Sequence, residues 1–555
     1  MKKHLFTKTI AFVLSVTLLL GALGFSVAAD SGSDYKPNKT SSTLEEMRQL
    51  VGTKTYAEYI ADYRNSLIAG LPVIKVDVAK AYDNETGFTG DGVISGESEI
   101  VKAAYNKDKA AWESFGDHWN DTLYLGAGGS TTWHLRVPDG AASLYYIQIV
   151  YYSCLTSESS VSNIERKFFI DENIPFSEAS TISLSKNWVY DNITTTEEPA
   201  GAGDAEGTTV SYETASDGYY KYVVTVKDGK KIRTTYKMAQ DINGNSMAPE
   251  ADQLPSWSTY QVSDTTGYYD GYFQFYFLNG SHTITLEAQR EPVIIKEINL
   301  IPIDQDNTSI PTYEDYIKSF RDKGYTAATG GDITVIEAEF PDLVSDSSVS
   351  ATNDNSSVAT YPITSGSQLY NVIGENSYSG VGQWAAYKFY VSKTGLYKMS
   401  MRYKQSALQG MYVCRAIKLA GGSYGLADGT PTAPFAEAYN TKFDYNKDWQ
   451  SSYLGDGNTE FEFYFEEGVE YTLYLECSLG TLKELIQRVE ASMNKLNADY
   501  LTILQLTGAD PDEYRDYNFI GIMPEVLVSL LKQAIELSEV KAEFEKLCGT
   551  NGSHI

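Results

Sequence analysis

Cysteine is scarce, with four in 555 residues. That density is far below a disulfide-stapled scaffold, and no CxxC or HExxH spacing occurs, which excludes a disulfide framework and makes a zinc site improbable. Histidine is nearly as rare, with five, one close to the N-terminus and one beyond the last helical stretch. A Ser-His-Asp arrangement therefore has few candidate bases. Basic charge is in deficit as well: 44 Lys and Arg stand against 73 Asp and Glu, for a net charge of −29. Phosphate binding needs clustered Lys and Arg, so nucleic acid is excluded as a partner, and anionic membrane surfaces are disfavoured on the same ground. After the N-terminal segment no stretch approaches about 20 apolar residues, so no transmembrane helix is expected in the mature chain. The Gly-rich run Gly126-Ala127-Gly128-Gly129 leads into a strand rather than a helix and is not a phosphate loop. Carboxylates are so abundant that pairs such as Glu297 and Asp304 can be chosen at will, and none marks an acid–base centre. The chain reads as non-catalytic.

What is present begins with an export signal over residues 1–29. Lys2, Lys3 and Lys8 form a positive region, residues 11–23 an apolar core, and Val27-Ala28-Ala29 a small-residue cleavage site. The expected product is secreted and extracellular. Cleavage removes three Lys and no acid, which makes the mature chain more acidic still. Tyrosine is the compositional outlier at 43 residues; it favours strands and half-buried surfaces, and it grips polar ligands by their apolar faces.

The chain also says nearly the same thing twice. Thr55-Tyr56-Ala57-Glu58-Tyr59-Ile60 recurs as Thr312-Tyr313-Glu314-Asp315-Tyr316-Ile317, and Leu144-Tyr145-Tyr146-Ile147 with Tyr151 as Leu396-Tyr397-Lys398-Met399 with Tyr403. Pro175-Phe176-Ser177-Glu178-Ala179 recurs as Pro434-Phe435-Ala436-Glu437-Ala438, and Phe273-Gln274-Phe275-Tyr276-Phe277 as Phe461-Glu462-Phe463-Tyr464-Phe465. A period of roughly 250 residues is too long for a solenoid and indicates duplicated domains. Alternating apolar residues, as at Tyr145, Ile147, Ile149 and Tyr151, predict many short strands, hence two jelly-roll-like antiparallel β-sandwiches. The expected organisation is a linker with short helices over 30–71 and a first module over 72–303. That module carries an insertion near 199–236, whose Lys227-Asp228-Gly229-Lys230 reads as a type I′ hairpin turn. A linker with a short helix follows over 304–332, a second module over 333–478, and a helical region over 479–555. The first module closes with Val293-Ile294-Ile295-Lys296-Glu297-Ile298-Asn299-Leu300, and the second has no such strand where one is due. The C-terminus therefore reads as truncated, the alternative being a complete protein with a helical tail and a sandwich one strand short; pairing of Cys414 with Cys477 and two free buried thiols both fit the sequence.

Aromatic rings stack on the flat C–H faces of sugars while polar neighbours take the hydroxyls. Candidates of this kind are Trp188, Trp257 with Tyr260, and Trp119 in the first module, and Tyr378, Trp449 and Tyr453 in the second. Trp133 and Trp384 fall on predicted strands at equivalent positions and are assigned to the cores.

The second copy resembles the family 6 and family 35 carbohydrate-binding modules. The likeness rests on Ile336-Glu337-Ala338-Glu339, Trp384-Ala385-Ala386-Tyr387, Gly395-Leu396-Tyr397-Lys398-Met399 with Arg402-Tyr403, and Tyr471-Thr472-Leu473-Tyr474-Leu475. It implies an oligo- or polysaccharide ligand and a structural calcium in module 2 held in part by Glu337 and Glu339, two hard-oxygen donors on one strand face. The arrangement as a whole, with Asn497-Ala498-Asp499-Tyr500 and Pro511-Asp512-Glu513-Tyr514-Arg515-Asp516-Tyr517, also resembles the N-terminal half of large bacterial ABC-transporter sugar-binding proteins. That likeness implies a place at the bacterial cell surface and an ABC permease as partner, through a C-terminal domain not in this chain. The alternatives are an ancillary region of a secreted polysaccharide-degrading enzyme and a structural surface or adhesion protein.

Overall fold

The structure is a computed structural model and describes residues 54–76, 78, 81–83, 122–155, 159–215, 218–303, 310–330, 333–363, 366–407 and 409–548. The signal, residues 30–53 of the expected linker and Trp119 lie outside the described residues.

The chain is mainly antiparallel β, with a C-terminal helical region. The first part comprises β1 (Ile74–Val76), β2 (Ala81–Asp83), β3 (Leu123–Leu125), β4 (Ser130–Val137), β5 (Ser143–Tyr152), β6 (Ile164–Ile170), β7 (Thr181–Leu184) and β8 (Asn187–Tyr190). The insertion contributes β9 (Ile193–Pro199), β10 (Gly207–Ala215), β11 (Gly218–Lys227) and β12 (Lys230–Ala239), and β13 (Ala251–Leu254), β14 (Trp257–Gln261), β15 (Gln274–Phe277), β16 (Gly280–Arg290) and β17 (Val293–Pro302) follow. The second part comprises β18 (Leu343–Val344), β19 (Ala351–Thr352), β20 (Val372–Ile373), β21 (Trp384–Phe389), β22 (Gly395–Lys398), β23 (Ser400–Tyr403), β24 (Tyr412–Ala420), β25 (Thr441–Asp444), β26 (Gln450–Tyr453), β27 (Glu462–Phe465) and β28 (Tyr471–Ser478). The helices are α1 (Tyr56–Tyr63), α2 (Tyr313–Asp322), α3 (Lys483–Thr507), α4 (Phe519–Ile522) and α5 (Pro524–Cys548).

Module 1 is a sandwich of a six-stranded sheet, β1-β17-β5-β14 with β3 and β15 attached, and a five-stranded sheet, β2-β4-β16-β6-β7. Period-two alternation aims Tyr145, Ile147, Ile149 and Tyr151 of β5 at Trp133, Phe168, Ile284 and Leu286 of the facing sheet, and all are fully buried. The insertion forms its own four-stranded sheet, β10-β11-β12-β9. Its β11–β12 turn has positive φ at both Asp228 (53°) and Gly229 (75°), the type I′ geometry expected from the sequence.

Two module 1 strands leave their own sandwich. β8 and β13 extend module 2's sheet, whose order is β13-β8-β18-β21-β28-β24-β25, with Trp188 in register with Val344. The insertion sheet packs on module 2 as well: Tyr219, Tyr236 and Met238 share a cluster with Phe340 and Ala351. Inside it Lys221 forms a buried ion pair with Asp342, Nζ to Oδ2 3.0 Å.

Two local expectations differ from the structure, and one left open is decided. Residues 333–340, expected as a strand, make no ladder; the Glu337 N–H is taken by the Tyr212 hydroxyl at 3.2 Å, a turn forms at 338–339, and Pro341 has no N–H to give. Trp384 does not share Trp133's position: Ala385, Tyr387 and Phe389 face the module 2 core, so Trp384 lies on the opposite face, against Tyr474 at 5.0 Å. A one-residue offset exchanges the faces of a strand. Cys414 and Cys477 are free. Cys414 is in register with Ser478 and Cys477 with Arg415, which puts the thiols on opposite faces of the sheet.

The repeated blocks have a common structural task. Thr55 and Thr312 cap α1 and α2, each accepting from the backbone N–H three residues on. Each helix then lies along an edge strand: the N–H groups of Gln274 and Tyr276 donate to the hydroxyls of Tyr56 and Tyr59, and those of Glu462 and Tyr464 to Tyr313 and Tyr316. α3 and α5 pack together after β28, with Arg488 bonded to Glu536 at 2.6 Å and to Glu543 at 2.8 Å.

Candidate functional site

The antiparallel pairing of β23 with β26 sets Arg402 opposite Ser451 and Ser400 opposite Tyr453. Side chains alternate along a strand, so Trp449, Ser451 and Tyr453 share one face, with Ser400, Arg402 and Lys404 beside them. Trp449 and Tyr453 stand about 13 Å apart along the chain at the usual rise per residue. Tyr453 is 50% exposed and carries the Lys398 ammonium 5.3 Å above its ring; Trp449 is half-buried, with the Asp354 carboxylate beside its indole. Ser400 and Ser451 hydroxyls meet at 3.3 Å between the two rings. At the Trp449 end, Lys404 bonds Asp354 at 2.9 Å and the Ser356 hydroxyl at 2.9 Å. Burial opposes ionisation of Asp354, but hydrogen bonds from Ser356 and the Lys404 ammonium hold its carboxyl down to about 2. Asp354 is thus a fixed negative charge beside the indole. Two aromatic faces with hydroxyls, a guanidinium and a carboxylate between and beside them can stack on rings and exchange hydrogen bonds with a polyol.

The other four aromatics stand elsewhere. Trp188 is buried in the module 2 core on β8, and Tyr378 is buried with its hydroxyl donating to the Leu475 carbonyl. In these positions neither presents a ring to a ligand; both have loop-like polar neighbours in sequence, and the pairing of β8 with β18 encloses Trp188. Trp257 is half-buried on β14, 5.4 Å from Tyr152 and under the Lys296 ammonium. Tyr260 packs against the module 1 core and donates to the Ser263 carbonyl at 3.2 Å.

A second polar surface went unrecognised in the sequence. A cavity of about 540 Å³ lies on the outer face of module 1's five-stranded sheet, lined by Ser130, Thr132 and His134 of β4, Phe169 of β6, and Thr283, Thr285 and Glu287 of β16, with Glu172 at the turn. Thr132 and Thr285 hydroxyls meet at 2.7 Å, and Lys167 lies 3.3 Å from Glu287. Asp171 and Glu172 both take left-handed backbone conformations, and the Asp171 carboxylate receives the Thr283 N–H at 2.8 Å. The only signal in the sequence was the period-two run of Ser and Thr on β4 and β16, which also fits any solvated sheet face.

Glu337 and Glu339 sit beneath the insertion. Glu339 is 1% exposed, and its Oε1 has no hydrogen-bond partner, nor does the buried Tyr219 hydroxyl nearby. Burial first, then the Glu337 carboxylate, pushes the Glu339 carboxyl well above the ordinary range; burial also raises Glu337, partly offset by Arg402. Among the described residues no third His, Cys, Asp or Glu joins them. An orphaned buried carboxylate oxygen beside a second carboxyl fits a hard cation whose remaining ligands are hydroxyl, carbonyl or water oxygens.

No protein-family model matches the sequence, and no curated protein does. A solved structure it is similar to is the N-terminal CBM22-1-CBM22-2 tandem domain from Paenibacillus barcinonensis Xyn10C. The match covers 64% of this chain and 85% of that one, at 11% identity and a TM-score of 0.13, a likeness too loose to carry an argument.

Proposed function

We propose that this chain is a secreted, non-catalytic carbohydrate-binding protein and the N-terminal part of the extracellular sugar-binding component of an ABC uptake system. The observation that carries the reading is the shared face of Trp449 and Tyr453, with Ser400, Ser451 and Arg402 between the rings. Stacking contributes roughly 1 kcal/mol per ring beyond area burial, and the intervening donors and acceptors set orientation. The hydroxyl-lined cavity on module 1 supports a second contact with the same glycan or another. Because β8 and β13 belong to module 2's sheet, the two surfaces are held on one framework, which favours a long or repeating ligand through effective concentration.

Glu337 and Glu339 would hold a structural calcium, which would neutralise the buried carboxyl pair and rigidify the 333–340 segment under the insertion. The ABC permease would be engaged through a further domain.

A glycan array probed with the secreted chain, with and without EDTA, tests the reading. Binding to a defined glycan class is expected, reduced by EDTA; a blank array from well-folded protein would overturn the carbohydrate reading, and the adhesion alternative would take its place.

A further inference from the structure

In module 1, β17 sits between two strands: Ile298 pairs with Val76 of β1 on one side and with Ile149 of β5 on the other. The duplication identifies the corresponding positions in module 2. Tyr145, Ile147, Ile149 and Tyr151 correspond to Tyr397, Met399, Met401 and Tyr403, and the β1 segment to residues 333–337. Nothing occupies the place of β17 among the described residues: β22 pairs with β27 and β23 with β26, each as a two-stranded sheet. Among the described residues the opposite edge makes backbone hydrogen bonds only at Leu396, whose N–H and carbonyl bond Thr326 and Ala328.

The consequences are visible on both sides of the gap. The four inward residues of β5 are fully buried, whereas their four counterparts in module 2 are only half-buried. Ile333 and Val335 are 89% and 56% exposed, in a segment of strand-like composition that makes no ladder. An open strand edge flanked by incompletely buried apolar side chains is a template for another strand.

We propose that the gap between residues 333–337 and β22–β23 is a strand-acceptor slot. It is filled by an extended segment of this same polypeptide with the alternating apolar pattern of β17, running antiparallel to β23. The order of the repeated blocks supplies the source. β17 is the block that follows β16, so its counterpart follows β28 in sequence, past the α3–α5 hairpin, which then stands as an insertion within the sandwich. The Glu337–Glu339 pair lies at the end of this slot, so the incoming strand would also fix the segment that carries it.

The test appends residues 292–303 as a second copy after Ile555 through a flexible Gly/Ser linker and follows backbone amide exchange. The tethered strand is expected to slow exchange in 333–337 and 397–403 by tenfold or more. A tethered copy carrying Ile295→Asp, Ile298→Asp and Leu300→Asp should give no slowing, which separates slot filling from a general effect of the extension. Unchanged exchange with the apolar copy, or edge amides already as protected as those of β5 in the unmodified chain, would overturn the proposal. Protection in the unmodified chain that grows with protein concentration would also overturn it, in favour of a second molecule filling the slot.

Discussion

Glu437 accepts the backbone N–H of Tyr313 at 2.8 Å, and across the duplication Glu178 accepts that of Tyr56 at 2.9 Å. These contacts tie the short helix before each sandwich to the Pro-Phe-x-Glu-Ala block more than 100 residues later. Glu437→Ala leaves an unpaired helix N-terminal N–H and should destabilise module 2 by about 1–3 kcal/mol. Urea denaturation checks this, and Glu178→Ala should match it in module 1.

The Lys221–Asp342 pair joins the insertion to module 2 in a site almost closed to water, and Tyr236 donates its hydroxyl to the same carboxylate. Lys221→Met strands the carboxylate and should cost about 3–5 kcal/mol, whereas Lys221→Met with Asp342→Asn should recover most of it. A double-mutant cycle by chemical denaturation measures the coupling.

Glu339 gives a pH dependence of defined sign. Its folded-state carboxyl titrates above its unfolded value, so the native state holds a proton that the unfolded chain releases. Its contribution is therefore fully present below about pH 4.3, the unfolded value, and is lost as pH rises through the folded one. Glu339→Gln should remove this decline and raise the urea midpoint at pH 8. Added calcium should restore stability at pH 8 in the unaltered chain and not in Glu339→Gln.

On the module 1 cavity, Thr132→Val with Thr285→Val keeps the β-branched shape and removes the paired hydroxyls. The fold should be unchanged by circular dichroism. Affinity for a glycan that contacts this face should fall about tenfold, the equivalent of 1.4 kcal/mol.

The sandwiches were legible because period-two alternation is a local signal: β5 spans the alternating Tyr145, Ile147, Ile149 and Tyr151, and β17 covers the closing strand expected from Val293 to Leu300. The I′ turn at Asp228-Gly229 was legible for the same reason. What escaped is non-local. That Trp188 pairs with Val344 rather than standing in a loop depends on β8 crossing to another module, which no pattern around Trp188 encodes. Residues 333–340 have strand composition, yet a strand forms only where a neighbour supplies hydrogen bonds. Polar neighbours make Trp449 and Tyr453 candidates one by one, and it is the β23–β26 register that gives them a common face.

The most direct measurement is calorimetric titration of the secreted chain with the oligosaccharide that scores highest on the array, beside Trp449→Ala and Tyr453→Ala. The account predicts at least a tenfold loss of affinity in each variant with unchanged unfolding midpoints. Full affinity in both variants, or no heat with any glycan from folded protein, would contradict it.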